Sequence, residues 1–191
     1  MKSLIRLIAV LLAVLPFLQA CIPLIVGAGV GAGVMMAEDR RSNATILEDQ
    51  TIEVKAKNRF EETYQNKLHA TVTSYNRYVL ITGQAPTEEI RQDLTTIVLE
   101  VENVRNVQNE VIVAGNASFT SRSSDAFTTS SVKGRLARNK EIAANNVKVI
   151  TENGAVFLMG LVTRMEAESA AQTAATTSGV QRVVKVFEYT D

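Results

Sequence analysis

The sequence predicts an α+β protein made of two tandem αββαβ units, each a three-stranded mixed sheet with two helices packed on one face. Three observations carry that prediction. Residues Ala70 to Gly83 (ATVTSYNRYVLITG) can be laid without a gap on Val147 to Gly160 (VKVITENGAVFLMG), which sets Val72 on Val149, Asn76 on Asn153, Val79 on Val156, Ile81 on Leu158 and Gly83 on Gly160. A repeat is the first hypothesis for such self-similarity. Within each copy apolar residues alternate on either side of a short polar turn, the pattern of a hairpin with one buried face. Each copy is followed by a helix-length segment and a closing Val-x-x-Val strand, and preceded by another helical candidate.

In chain order, residues 1–20 read as a secretory signal peptide: Lys2 and Arg6, an apolar run from Leu7 to Leu18, and small Ala20 before Cys21. Leu18-Gln19-Ala20-Cys21 has lipobox spacing, which would make Cys21 the acylated N-terminus. Ordinary cleavage leaving a free thiol, or an uncleaved membrane helix, are the competing readings. Cys21 is the only cysteine, so no intramolecular disulfide can form, and an exposed thiol is a liability in an oxidising compartment. Acylation accounts for it better, and several acyl chains make attachment stable where one would be marginal. Ile22 to Ala37 is apolar and carries Gly27, Gly29, Gly31 and Gly33. It is shorter than the roughly 20 residues a spanning helix needs. It is either a flexible tether or a small-residue segment lying against a membrane or packing on another helix. Residues 38–48 read as linker, so 21–48 forms one region ahead of the repeats.

The first unit, 49–114, opens with a helix over Ile52 to Tyr64, in which Ile52, Ala56 and Phe60 share a face. Its hairpin turns at Tyr75-Asn76-Arg77. Arg takes a positive φ less readily than Asn, which predicts a looser turn than Asn153-Gly154. Thr87 to Val101 keeps helical periodicity at Ile90, Leu94, Ile97, Val98 and Val101, and Val104 to Val113 is the closing strand. The Ser-rich stretch 115–124 reads as a linker, with Ser124 or Asp125 available to cap the next helix. The second unit, 125–191, runs through a helix over Phe127 to Asn139 with Val132 and Leu136 inward. After the hairpin comes a helix over Thr163 to Ser178 with capping-box spacing of Thr163 and Glu166, then a strand over Val180 to Tyr189.

A domain of about 65 residues buries only around 60% of its unfolded surface, so each unit is marginal alone. Phe157, Met159, Val184 and Val186 alternate away from the core-facing set of the second sheet, and an apolar outer face wants a cover. Part of repeat one, its first helix above all, is the predicted cover, and a partner protein is the alternative.

The hairpin Val147-x-Val149 … Gly154-x-Val156-x-Leu158-x-Gly160 and the closing Gly179-Val180-x-x-Val183, in αββαβ order, resemble the BON domain. The first unit departs from that pattern with Arg77 at the turn glycine and Asn103 before Val104. Two such domains behind a lipoprotein signal resemble the dual-BON outer-membrane lipoproteins. Ile22 after Cys21, in place of an Asp, resembles the outer-membrane rather than the inner-membrane members. The resemblance implies a lipid-anchored protein facing the periplasm that maintains envelope integrity, with enrichment at cell-division sites.

From Lys133 to Lys140 there are four basic residues, Lys133, Arg135, Arg138 and Lys140, and no acid. A helical wheel leaves Phe127, Ser131, Gly134 and Arg138 along one exposed line. An aromatic beside cations suits a membrane surface, the ring entering the headgroup boundary and the charges meeting phosphates. A solvated charged face with Phe127 as a local staple explains the same residues. The family resemblance favours the membrane: it implies that the first helix of the second domain binds anionic phospholipid at Phe127, Ser130, Ser131, Val132, Lys133 and Arg135. Here Phe127 stands where close relatives have Trp, and Ser131 where a basic residue is frequent.

Loss of Lys2 and Arg6 with the leader takes the 20 basic side chains to 18 against 20 acidic, a net charge near −2. No nucleic-acid partner is expected. The lone His69 has neither a Cys nor a second His to make a metal site or triad, so no enzyme, metal or cofactor is expected. The rival to lipid binding is an adaptor holding outer-membrane assembly proteins on its sheet faces through Phe157 and Met159.

Overall fold

The computed structural model describes residues 39–65, 68–114 and 119–191. The signal peptide, Cys21, the Gly-rich segment to Ala37 and residues 115–118 of the Ser-rich linker lie outside the described residues.

Both repeats adopt the expected architecture. The first runs α1 (Asn43–Tyr64), β1 (His69–Tyr75), β2 (Tyr78–Ala85), α2 (Glu88–Leu99), β3 (Asn106–Asn109) and β4 (Ile112–Val113). The second runs α3 (Phe119–Leu136), a 3-10 turn (Ala144–Asn146), β5 (Val147–Glu152), β6 (Ala155–Val162), α4 (Arg164–Ala175) and β7 (Arg182–Tyr189). In each sheet the hairpin is antiparallel and the closing strand lies parallel to the hairpin's second strand, so β2 and β6 are central. Two helices cover one face of each sheet. Ile52, Ala56, Phe60, Leu94 and Val98 meet Val79 and Ile81 in the first core, and Val132, Leu136, Ala167, Ala170 and Ala174 meet Val149, Val156 and Leu158 in the second.

Helix boundaries differ from the sequence reading. α1 begins at Asn43, inside the stretch read as linker, because Ser42 caps it by accepting Thr45 N–H at 3.1 Å and nothing between breaks a helix. α3 begins at Phe119 rather than Phe127 and ends at Leu136 rather than Asn139. Asp125 is therefore inside the helix and not its cap. The expected closing strand over Val104 to Val113 is split into β3 and β4: Asn109 Oδ1 accepts the Val111 N–H at 3.0 Å, taking that donor out of the ladder.

The Arg77 turn is not looser than its counterpart. Asn76 and Arg77 have φ of 52° and 63°, and Asn153 and Gly154 have 48° and 73°. Both are two-residue turns with two left-handed positions, the geometry that matches strand twist. What holds them is the same device twice. Asp49 on α1 accepts the N–H groups of Asn76 (2.8 Å) and Arg77 (2.7 Å), and Asp125 on α3 accepts those of Asn153 (2.8 Å) and Gly154 (2.9 Å). Charge-assisted bonds of this kind are stronger than neutral ones and offset the cost of a left-handed Arg. Gly83 and Gly160 close the hairpins because a Cβ there would sit 2.1 Å from the His69 carbonyl oxygen and 2.2 Å from that of Asn146.

A third core lies between the repeats. Phe157, Met159 and Val186 of the second sheet are at most 3% exposed and pack with Tyr75 and Leu80 of the first, with Val184 partly buried beside them. Repeat one supplies the cover, as expected, but with the outer face of its sheet and not with helix α1. The tyrosines at either side of the β1–β2 turn make that face apolar enough, in spite of Thr82 and Gln84. Each large apolar side chain removed from water contributes about 1.5–3 kcal/mol. Polar bonds rim the seam: Gln84 Nε2 to Glu152 at 2.8 Å, Asn76 Nδ2 to Glu188 at 3.0 Å, and Lys148 Nζ to Glu53 at 2.7 Å.

Candidate functional site

Helix α3 is fixed on the second sheet by its inner line, in which Asp125, Thr128, Val132 and Leu136 are at most 8% exposed. Asp125 ties that line to the β5–β6 turn, and Thr129 Oγ1 bonds Thr151 Oγ1 at 2.7 Å. The outer line follows from a 100° step per residue. It carries Phe127, Ser130, Ser131 and Gly134, with Arg138 exposed in the turn that follows, and Phe127 is 72% exposed.

The basic residues do not act as one group. Arg135 turns to the C-terminal end of α4, where its guanidinium donates to the Thr176 carbonyl, to Thr176 Oγ1 at 2.9 Å and to Thr177 Oγ1 at 3.1 Å. A cation there satisfies free carbonyls and the negative end of the helix dipole. Lys133 lies on the other flank, exposed, at the rim of an open cleft of about 440 Å³ shared with Arg41, Asp49, Glu53 and Lys148. The cleft carboxylates are already paired, Asp49 with Arg41 at 2.9 Å and Glu53 with Lys148 at 2.7 Å. Lys133 makes no ion pair among the described residues. Val132, expected among the lipid contacts, is 0% exposed and anchors the helix instead.

Of the expected surface residues the structure therefore brings together Phe127, Ser130, Ser131 and Arg138, with Lys133 at one side. It assigns Val132 and Arg135 to holding the helix. Phe157, Met159 and Val186, the residues through which an adaptor would dock, are inside the seam. His69 stands half-buried at the first position of β1, opposite Gln84.

Two features escaped the sequence reading. Arg40, in the expected linker, reaches across to the second repeat: its guanidinium forms a paired bond with Glu166 (2.7 and 2.9 Å) and donates to the Leu161 carbonyl at 2.8 Å, while its N–H meets Asn146 Oδ1 at 3.1 Å. The hydrogen bond from Arg40 holds the Glu166 carboxyl below its usual range, against an opposing effect of partial burial. No local signal in the sequence marks a contact this distant. Met165, at the start of α4, is 83% exposed, and the Thr163–Glu166 capping box gave the register from which its outward position could have been read.

The BON domain family model matches residues 48–115 and 124–191. The chain is 39% identical over 186 residues to the outer membrane lipoprotein DolP of Haemophilus influenzae, covering 96% of each chain. It is 35% identical over 153 residues to a 21 kDa hemolysin of Actinobacillus pleuropneumoniae, covering 79% of each. A shared repeat, both hairpins and a full-length relative leave one conclusion: the chain belongs to the BON-domain family and is an outer-membrane lipoprotein with two BON domains.

Proposed function

We propose that this protein is a non-enzymatic envelope protein, anchored through an acylated Cys21 with its domains in the periplasm, whose helix α3 rests on anionic phospholipid. The observation that carries the reading is Phe127, 72% exposed on the outermost line of a helix whose inner line cannot turn. The ring enters the headgroup boundary, Lys133 and Arg138 meet phosphate oxygens, and Ser130 and Ser131 offer hydroxyls to the headgroups. Val132 and Arg135 hold the helix in that orientation. Each basic residue near an anionic surface contributes about 1 kcal/mol, so the contact is weak and salt-sensitive, which suits a chain already anchored nearby. By family resemblance its role is to support envelope integrity, with enrichment at division sites.

The test is co-sedimentation of residues 39–191 with vesicles. The protein is expected to bind vesicles containing phosphatidylglycerol and not phosphatidylcholine alone, with binding lost in Phe127→Glu, reduced in Lys133→Glu and weakened by salt. Equal binding to both vesicle types, or binding indifferent to Phe127→Glu, would overturn the reading. The rival reading, an adaptor for outer-membrane assembly proteins, needs a surface other than the Phe157–Met159 face.

A further inference from the structure

We propose that the lipid-facing surface is the whole outer face of the α3–α4 layer, with Met165 at the start of α4 as a second apolar insertion point; this rests on the lipid reading of α3. Met165 is the most exposed of the large hydrophobic side chains among the described residues, at 83%. Its direction follows from the residues α4 buries. Ala167, Ala170 and Ala174 are at most 2% exposed and face the sheet, and 100° steps from them place Met165, Ser169, Gln172 and Thr176 on the opposite side. Helices α3 and α4 contribute to one core on one face of the same sheet. Their outer lines therefore point the same way, and Met165 projects from the layer in the direction that Phe127 does.

The two side chains stand at opposite ends of the layer. The helices are antiparallel: Arg135 reaches Thr176 and Thr177, and Asn139 Nδ2 donates to Ser169 Oγ and Thr173 Oγ1, both at 3.0 Å. Helical rise and interhelix spacing then set Phe127 and Met165 on the order of 30 Å apart. Between them lie Ser130, Ser131, Gly134, Ser169, Gln172 and Thr173, small or uncharged, together with basic Arg138. The acids at the margin are occupied: Glu168 pairs with Lys185 at 2.9 Å, and Glu141 accepts the Ser169 hydroxyl at 2.7 Å. Such a face can lie against headgroups without presenting bare carboxylates to them.

The point where the N-terminal chain joins the folded body selects a bilayer as the occupant. Arg40 is bound to Glu166, the residue next to Met165, and only a short stretch separates it from Cys21. The anchored end of the chain thus meets the domains beside Met165, and Phe127 marks the far end of the same face. Met suits such a place, being unbranched and free of polar atoms that headgroup burial would strand.

The test uses the full lipidated chain reconstituted in phosphatidylglycerol-containing vesicles. An environment-sensitive thiol probe is attached in turn to Phe127→Cys, Met165→Cys and, as a control on exposed α1, Asn58→Cys; the chain without an added cysteine gives the labelling background. Lipids carrying a quencher in the acyl chain report insertion. The probe at 165 is expected to be blue-shifted and quenched as at 127, with 58 unaffected. Quenching at 127 with position 165 behaving as 58 overturns the second insertion point and leaves the α3 reading standing. Quenching at neither position overturns both.

Discussion

Thr82 is 1% exposed on the seam face of β2, and its hydroxyl has no hydrogen-bond partner among the described residues. A buried unpaired hydroxyl costs about 1–3 kcal/mol, and an apolar group of the same shape removes that cost. Thr82→Val is therefore expected to raise the unfolding free energy by about 1 kcal/mol, read as a higher urea midpoint at unchanged slope. Glu166 is the opposite case, a carboxylate used fully. Its folded pKa is lowered by the Arg40 hydrogen bond, so its contribution is complete above the ordinary value of 4.5 and is lost as pH falls through the lowered one. Stability of the wild type is expected to fall on acidification below 4.5, with a shallower fall in Glu166→Gln. Urea titrations of both proteins across that range measure it. The Arg40 contact of Glu166 could not have been identified from the sequence, because the two residues lie far apart in the chain.

Elements were legible where periodicity was clean. Both hairpins, the αββαβ order and the inward faces of α1, α2 and α3 follow from alternating or helical apolar spacing. The starts of α1 and α3 were not, because each of these helices buries a carboxylate, Asp49 or Asp125, where the pattern demands an apolar residue. The same aspartates explain the misjudged Arg77 turn: its left-handed geometry is imposed from a neighbouring helix and not by its own residues. On α3, the outer line was predicted and Arg135 was misplaced, since only the position of the α4 terminus shows where its guanidinium goes. A Cβ added at Gly134 would meet no atom within 4 Å. Gly134→Ala is accordingly expected to stabilise the protein by about 0.5–1 kcal/mol, measurable as a raised Tm, while leaving Phe127 exposed.

In the whole molecule, two marginal domains share one apolar seam. Phe157 is its largest fully buried member, and Phe157→Ala is expected to cost about 3–5 kcal/mol. Because the loss falls between the sheets, calorimetry is expected to show one unfolding transition for the wild type and two for the variant, one for each repeat. The outer face of the second sheet was legible from alternation at Phe157, Met159, Val184 and Val186; its cover was not, since Tyr75 and Tyr78 sit beside a turn where they read as turn flanks. The Arg40 contact also has a mechanical meaning. Arg40 precedes the first domain in sequence yet is held by the second, so tension arriving from the N-terminus passes through Glu166 into the second domain. The first domain then hangs in a closed loop off the load path. Force entering along the chain is thus met first at the Arg40 contacts with Glu166, Leu161 and Asn146.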